Sequence, residues 1–166
     1  MMQPTAHSDR LGGYASALMD IGRAGGDVDA FVDEFYSAAK TISGTSELRE
    51  TLTDARIPVG RKQGIVQDLL GPLVDHVVVA SINFVIAVGE TRSLDEIASR
   101  LAQLVAEHEG TVVAEVQSAV ALDAGQIARL EAALSRATGK RVQAKVVTDP
   151  ALMGGLVAKI GDTVFD

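Results

Sequence analysis

The sequence contains no cysteine and no tryptophan, and aromatic residues make up only 4% of its 166 positions. Without cysteine, disulfide frameworks and thiol chemistry are excluded, and an intracellular protein is expected. No apolar run is long enough to cross a bilayer, and the opening residues, MMQPTAHSDR, lack the apolar core of a signal peptide. We therefore predict a protein that is soluble or that reaches a membrane only through partners.

The net charge is -7, and it is unevenly distributed along the chain. Residues 1–110 carry 16 acidic and nine basic side chains, whereas residues 111–166 carry six of each. Nucleic acid requires a basic surface, so it is excluded as a partner. Hydrophobic residues make up 47% of the chain, which is enough to bury a core built mostly from Ala, Val, Leu and Ile.

The first 110 residues are predicted to form six helices joined by short loops. Apolar residues recur there at helical spacing, and glycine, proline and capping residues separate the segments. Asp27 is the expected N-cap of the second helix, and Ser93 with Glu96 forms a capping box before the sixth.

The fifth helical segment, Asp75 to Gly89, is apolar on nearly every side and is interrupted only by Ser81 and Asn83. Its length favours a helix over a buried strand. A helix that is apolar all round either lies in the centre of a core or has a second face that binds a partner. Both interpretations stay open from the pattern alone.

The spacing changes at Thr111, where apolar and polar residues begin to alternate as in a strand. Asp123 and Gln126 resemble a capping box for a helix that ends at Gly139, and a second strand follows. The final stretch, Thr148 to Asp166, reads as a glycine hinge and a β-hairpin with a tight turn. The fold predicted is therefore an N-terminal all-α six-helix bundle, residues 1–110, and a C-terminal small α+β domain in the order β-α-β-β-β, residues 111–166.

No residues are predicted to catalyse a reaction or to bind a metal or cofactor. His7, His76 and His108 are far apart and have no partners at metal-ligand spacing. Gly154 and Gly155 with Lys159 resemble a phosphate loop only superficially, because a strand follows where a helix is required. The chain therefore has the character of a binding module.

At the level of ordered motifs, the chain resembles the delta subunit of the bacterial F-type ATP synthase, the counterpart of the mitochondrial oligomycin-sensitivity-conferring protein. The resemblance covers most of the chain, and the ordered set is more specific than any one piece. In chain order the matching pieces are Tyr14-Ala15-x-Ala17-Leu18, Asn83-Phe84, Glu90-x-Arg92-x-Leu94, Val116 with Ser118-Ala119 and Leu122, Asp149-Pro150-x-Leu152-x-Gly154-Gly155, and Ile160-Gly161-Asp162-x-Val164-x-Asp166.

This resemblance implies a two-domain connector that is not itself an enzyme and acts as a monomer within the synthase. Its N-terminal bundle would bind the N-terminal helix of an alpha subunit on the catalytic head, and its C-terminal domain would bind the end of the b subunits. The b subunits form the peripheral stalk. Together with that stalk, the connector would form the stator of proton-driven ATP synthesis. Its expected location is the cytoplasmic face of the bacterial plasma membrane, reached through the complex and without insertion.

In the family, helices one and five frame the groove for the alpha-subunit helix. The resemblance therefore implies seven partner-binding residues: Tyr14, Ala17, Leu18, Ile21, Val79, Asn83 and Ile86. The alternative for each of them is an ordinary position in the bundle core. Tyr14 is the best single candidate, because an aromatic ring with a polar tip suits an interface.

Two other functions remain open from the residues. One is a small enzyme or ligand-binding domain that uses the hairpin at Gly154-Gly155, and the other is an adaptor for an unrelated helical partner. Family members usually continue past the aspartate matching Asp166 with Gly-Ser and a short basic helix. We therefore expect an engineered or processed end, and we expect contact with the b subunits to be the affected function.

Overall fold

The computed structural model describes residues 6–166, with side chains from Arg10 onward. The described chain divides into two compact units, the first ending at Leu104 and the second comprising Val105–Asp166. Within it the helices are α1 (Ala6–Ala24), α2 (Val28–Gly44), α3 (Ser46–Thr53), α4 (Val59–Leu70), α5 (His76–Ala87), α6 (Leu94–Glu109) and α7 (Ala124–Thr138). The strands are β1 (Val112–Ser118), β2 (Val142–Thr148), β3 (Leu156–Ile160) and β4 (Thr163–Phe165).

The predicted architecture is confirmed in its coarse form, as a helical first part followed by a small four-stranded sheet. The compact units divide within α6, whereas the sequence-based boundary was placed after it, at Gly110. The division into residues 1–110 and 111–166 with separate functions stays a prediction.

Helix α2 supplies much of the core of the first unit. Asp27 caps it as predicted, since its carboxylate accepts a hydrogen bond from the Ala30 amide at 3.0 Å. Seven side chains of this helix are buried, and they recur at the three- and four-residue spacing of one helical face: Phe31, Val32, Phe35, Tyr36, Ala38, Ala39 and Ile42.

Gly22 allows α1 and α2 to approach closely. A Cβ atom built at Gly22 would lie 2.7 Å from Cδ1 of Phe31, whose ring is buried, whereas a Cβ at Gly13 meets nothing within 4 Å. Both glycines lie in α1 and would gain helix propensity on replacement by alanine. We expect Gly22→Ala to be less stable than Gly13→Ala by about 1–3 kcal/mol, the usual cost of overpacking. Urea unfolding of the two variants measures this difference, and equal stabilities would contradict the close approach.

The turn between α3 and α4 is held by one short ion pair. Arg56 donates from Nε and Nη2 to the Asp54 carboxylate at 3.0 and 2.9 Å, and its amide also donates to that carboxylate. These hydrogen bonds from Arg56 lower the pKa of Asp54 to about 2. The pair lies in the turn that leads into Pro58 and the start of α4.

The four strands form one sheet in the order β2-β1-β3-β4. Strand β1 pairs in parallel with β2, as the intervening α7 requires, and antiparallel with β3. Gln126 and Asp123 make the predicted capping box at the start of α7. Gly139 ends α7 in the left-handed conformation at φ 70°, also as predicted.

Helix α7 covers one face of the sheet. Leu134 and Leu130 from the helix pack against the inward residues of all four strands. The alternation predicted for β1 is present, because Ala114 and Val116 belong to this core. The remaining members of the cluster are Val112, Val142, Ala144, Val146, Leu156, Ala158, Ile160 and Phe165.

The closing hairpin consists of β3 and β4, which pair antiparallel across a turn at Gly161, where φ is 58°. Gly154 and Gly155 form the predicted hinge, with φ values of 103° and 73°. Strand β3 lies inside the sheet, between β1 and β4. Strand β4, by contrast, forms one edge of the sheet.

Candidate functional site

Two contacts hold the first part of α1 against α5 and the turn that follows it. The Tyr14 and Phe84 rings meet edge to face, with their centroids 6.0 Å apart and their planes at 75°. One helical turn earlier, Arg10 Nε lies 2.6 Å from the Glu90 carboxylate. The residue that comes earlier in α1 thus contacts the residue that comes later in the chain, beyond Phe84. The helices α1 and α5 therefore run antiparallel.

The outward faces of these helices form an apolar surface, which we call the α1/α5 surface. Its members from α1 follow a spacing of three and four residues, and its members from α5 do the same. Phe84 is 40% exposed and Ile21 38% exposed, while Tyr14, which contacts Phe84, is half-buried. The surface comprises Tyr14, Ala17, Ile21, Ala80, Phe84 and Ala87, with Val88 at one end.

Three of the α1 residues predicted to bind a partner lie on this surface, namely Tyr14, Ala17 and Ile21. The fourth, Leu18, is completely buried in the first unit. Leu18 lies one residue beyond Ala17, which rotates its side chain about 100° around the helix and away from the surface.

The α5 residues chosen from the sequence face away from this surface. Val79 is 2% exposed and Ile86 3% exposed. Asn83 is half-buried, and its backbone carbonyl accepts a hydrogen bond from Gln63 Nε2 of α4 at 3.2 Å. Its Oδ1 atom is buried and has no hydrogen-bond partner in the described part of the chain. The role of these three residues in partner binding stays a prediction. The exposed stripe of α5 consists instead of His76, Ala80, Phe84 and Ala87.

The sequence interpretation missed every member of the surface that α5 and the turn after it supply, and Phe84 is the largest of them. Ser81 and Asn83 interrupt the apolar sequence of α5, yet neither of them marks its exposed face. Ser81 is buried because its hydroxyl donates to the Val77 carbonyl, four residues earlier, at 2.7 Å. The signal that could have identified Phe84 is the Asn83-Phe84 pair within the family motif, which places an aromatic residue beside a polar one.

The glycine-hinged hairpin has the contacts of a structural element. The Gly155 carbonyl accepts a hydrogen bond from the Ala119 amide at 3.4 Å, which ties the hinge to the end of β1. Lys159 is exposed on β3, where Glu115 of β1 is its antiparallel partner. A phosphate loop would instead leave the backbone amides at the start of a helix.

Histidine and acidic residues give no metal centre among the described residues, because no group of three or more of them could hold an ion. His76 Nδ1 lies 3.4 Å from the carboxylate of the neighbouring Asp75, and the His7 side chain lies outside the described residues. Within residues 6–166, no helix combines the length and the apolar character that crossing a bilayer demands.

Comparison with known proteins identifies one family. The sequence model described as ATP synthase delta (OSCP) subunit matches residues 12–166. An ATP synthase subunit delta of Parafrankia sp. is 34% identical over 139 residues, which cover 84% of this chain and 50% of that protein. One from Geobacter sp. strain M21 is 30% identical over 158 residues, which cover 92% of this chain and 86% of that protein.

The solved structures agree on the fold. A chain in the cryo-EM structure of the Toxoplasma gondii mitochondrial ATP synthase hexamer superposes with a TM-score of 0.61. The match covers 94% of this chain and 88% of that one at 19% sequence identity. The family model matches nearly the whole length of the chain, and the relatives support that match. The chain therefore belongs to the ATP synthase delta (OSCP) subunit family.

Proposed function

We propose that this chain, a non-catalytic member of the delta subunit family, joins the catalytic head of an ATP synthase to its peripheral stalk. The helices of residues 1–110 act as one six-helix bundle that binds the N-terminal helix of an alpha subunit. Residues 111–166 bind the end of the b subunits. The chain is thereby peripheral to the membrane-bound complex, on the cytoplasmic face of the bacterial plasma membrane.

The α1/α5 surface is the observation that carries this proposal. It offers anchors at helical spacing on two antiparallel helices, which is the arrangement that a helix-in-groove partner needs. Its small members, Ala17, Ala80 and Ala87, let a partner backbone approach closely, while Phe84 and Ile21 supply apolar area. The Arg10–Glu90 ion pair closes one end of the surface and fixes the separation of the helices there.

A stator joint must hold the head against the torque of the rotor. Slow dissociation suits this task, and differences in affinity between related complexes arise mostly from the dissociation rate. A rigid, preformed surface also lowers the entropy cost of binding. The edge-to-face contact of Tyr14 with Phe84 and the buried face beneath both helices give the surface this rigidity.

The stalk contact is assigned to the second unit from the family resemblance. The apolar side chains that this unit exposes, among the described residues, include Val120, Met153 and Val164. The hydrogen bond from Ala119 to Gly155 brings the turn that contains Val120 close to the hinge after Met153.

The proposal is tested by binding to fragments of both partners. We expect the full chain to bind the alpha-subunit N-terminal peptide and the C-terminal part of the b subunits at once, giving a ternary complex in size-exclusion chromatography. Failure to bind the alpha peptide would overturn the assignment of the helical unit. Retained alpha binding without b binding would overturn only the assignment of residues 111–166.

A thermal-shift screen with nucleotides and divalent metals distinguishes the proposed connector from the ligand-binding alternative. A specific, saturable rise in melting temperature would favour a ligand site, because only a ligand that binds the folded state stabilises it. We expect no such shift.

A further inference from the structure

The two edges of the sheet in the second unit differ in how they are protected. Strand β2 forms one edge, and β4 forms the other. An edge strand presents unpaired amides and carbonyls to which another chain can add a strand, so proteins usually cover such edges. A difference between the two edges therefore indicates where an added strand pairs.

The β2 edge is covered by side chains of α7. The Val142 amide donates a hydrogen bond to Ser135 Oγ at 3.2 Å, and the Ala144 amide donates to the Glu131 carboxylate at 3.0 Å. Both acceptors belong to α7. Two amides that an added strand would need are therefore already bonded, and a carboxylate lies at this edge. These contacts close the β2 edge to strand addition.

The backbone of β4 has groups that point toward the opposite edge. The Gly155 carbonyl accepts a hydrogen bond from the residue that follows β1, and the bonding groups of an antiparallel strand alternate between its two neighbours. Lys159 therefore bonds to β1 as well, whereas Ala158 and Ile160 bond to β4. Val164 is the partner of Lys159 in β4. Its N–H and C=O consequently point away from β3, toward the edge.

The β4 edge lacks the protection that α7 gives to the β2 edge. Within residues 6–166, no side chain is hydrogen-bonded to the backbone of β4. Phe165 packs into the core beneath α7, so the neighbouring Val164 side chain lies on the opposite face of the sheet, where it is 60% exposed. This edge thus presents the amide and carbonyl of Val164 beside an exposed apolar side chain.

The length of β4 decides which occupant suits this edge. The strand has only three residues, Thr163–Phe165. Pairing of two copies of the chain there would bury much less than the roughly 1,200–2,000 Å² of a stable interface. A segment that other contacts already hold to the same unit needs far less area, because tethering raises its effective concentration. Under the proposed function, the end of the b subunits is such a tethered partner.

We propose that β4 accepts an extended segment from the end of the b subunits as an added strand of the sheet. This inference rests on the proposed function, in which residues 111–166 bind that end. The main chain of the segment pairs with the N–H and C=O of Val164. An apolar side chain of the segment packs beside the Val164 side chain on the face opposite α7.

Hydrogen exchange of the Val164 amide, followed by NMR, tests strand addition without any substitution. In the chain alone we expect this amide to exchange faster than the Lys159 amide, which bonds to β1. Addition of the C-terminal part of the b subunits should slow exchange at Val164 at least about tenfold. An amide that is already protected in the chain alone would overturn the proposal, since the edge would then be covered. Unchanged exchange in the complex would overturn it too.

Two variants of Val164 separate the main-chain contact from the side-chain contact. Proline has no amide and is tolerated in edge strands where the N–H faces outward, so Val164→Pro should keep the fold in circular dichroism. We expect it to bind the C-terminal part of the b subunits at least about tenfold more weakly in titration calorimetry. Val164→Thr keeps the amide and a β-branched side chain, and it should lose less than about threefold.

The same titrations distinguish this inference from the proposed function. Equal affinity of Val164→Pro and Val164→Thr for the b subunits would overturn strand addition and leave the stalk contact in place. Failure of the unmodified chain to bind the b subunits would overturn the stalk contact and strand addition together. Both variants should bind the alpha-subunit peptide like the unmodified chain, because that contact is assigned to the first unit.

Discussion

Leu18→Asp is expected to unfold the helical unit. Leu18 is completely buried, so the aspartate carboxylate would lie in the core without a partner and the leucine volume would be lost. Leucine truncation alone costs about 2–5 kcal/mol, and an unpaired buried charge adds several more. This sum approaches the whole stability of an ordinary domain, roughly 5–15 kcal/mol. Circular dichroism should show the loss of much of the helical signal at 25 °C.

The neighbouring residue supplies the control for this prediction. Ala17 is exposed in the same helix, so Ala17→Asp should change the free energy of unfolding by only about 1 kcal/mol, mostly through helix propensity. If Leu18→Asp remained folded with a full cooperative transition, α1 would not pack as described. Because it is expected to unfold the protein, Leu18→Asp cannot be used to measure partner affinity, although the sequence placed Leu18 at the interface.

Phe84→Ser is expected to abolish most of the affinity for the alpha-subunit N-terminal peptide while leaving the fold intact. The ring is 40% exposed and rests on Tyr14 at the middle of the α1/α5 surface. Central aromatic anchors of interfaces commonly contribute about 2 kcal/mol or more, which corresponds to a loss of at least about 30-fold in affinity. Titration calorimetry with the peptide measures this directly.

The matched control for Phe84→Ser is Val59→Ser, because Val59 is 44% exposed on α4 and lies outside the α1/α5 surface. It should bind the alpha peptide like the unmodified chain. Tyr14→Phe should keep the packing of α1 against α5, since the contact with Phe84 is between the two rings. Equal affinity of Phe84→Ser and the unmodified chain would remove α5 from the interface.

The succession of elements could be predicted well because local signals determine it. The Asp123–Gln126 capping box, the left-handed Gly139 and the change from helical to alternating spacing each act within a few residues. The length of α5 likewise favoured a helix over a strand, and the helix is present. These signals require no knowledge of how distant segments pack.

The orientation of α5 could not be predicted, because its apolar residues surround the helix and leave no face distinguished by periodicity. Ser81 is polar yet buried, since the Val77 carbonyl satisfies its hydroxyl within the helix itself. The outward side of α5 is set by α1, through contacts between residues separated by about 70 to 80 positions in the chain, Tyr14 to Phe84 and Arg10 to Glu90. Local patterns in a single sequence do not show which of these distant residues contact each other.

The buried and exposed faces of α1 were predicted better than those of α5, because periodicity does distinguish the faces of α1. Its pattern has one apolar stripe directed inward, with Leu11, Ala15 and Leu18 buried, and small or aromatic residues on the adjacent face.

Photo-crosslinking in the assembled ATP synthase tests the central claim most directly. A benzophenone amino acid placed at Ala17 or Ala80 lies on the α1/α5 surface, and one placed at Val59 lies outside it. We predict that irradiation joins the chain to the N-terminal segment of an alpha subunit from Ala17 and Ala80 but not from Val59. Crosslinks to the alpha subunit from Val59 alone, or from none of the three positions, would contradict the account.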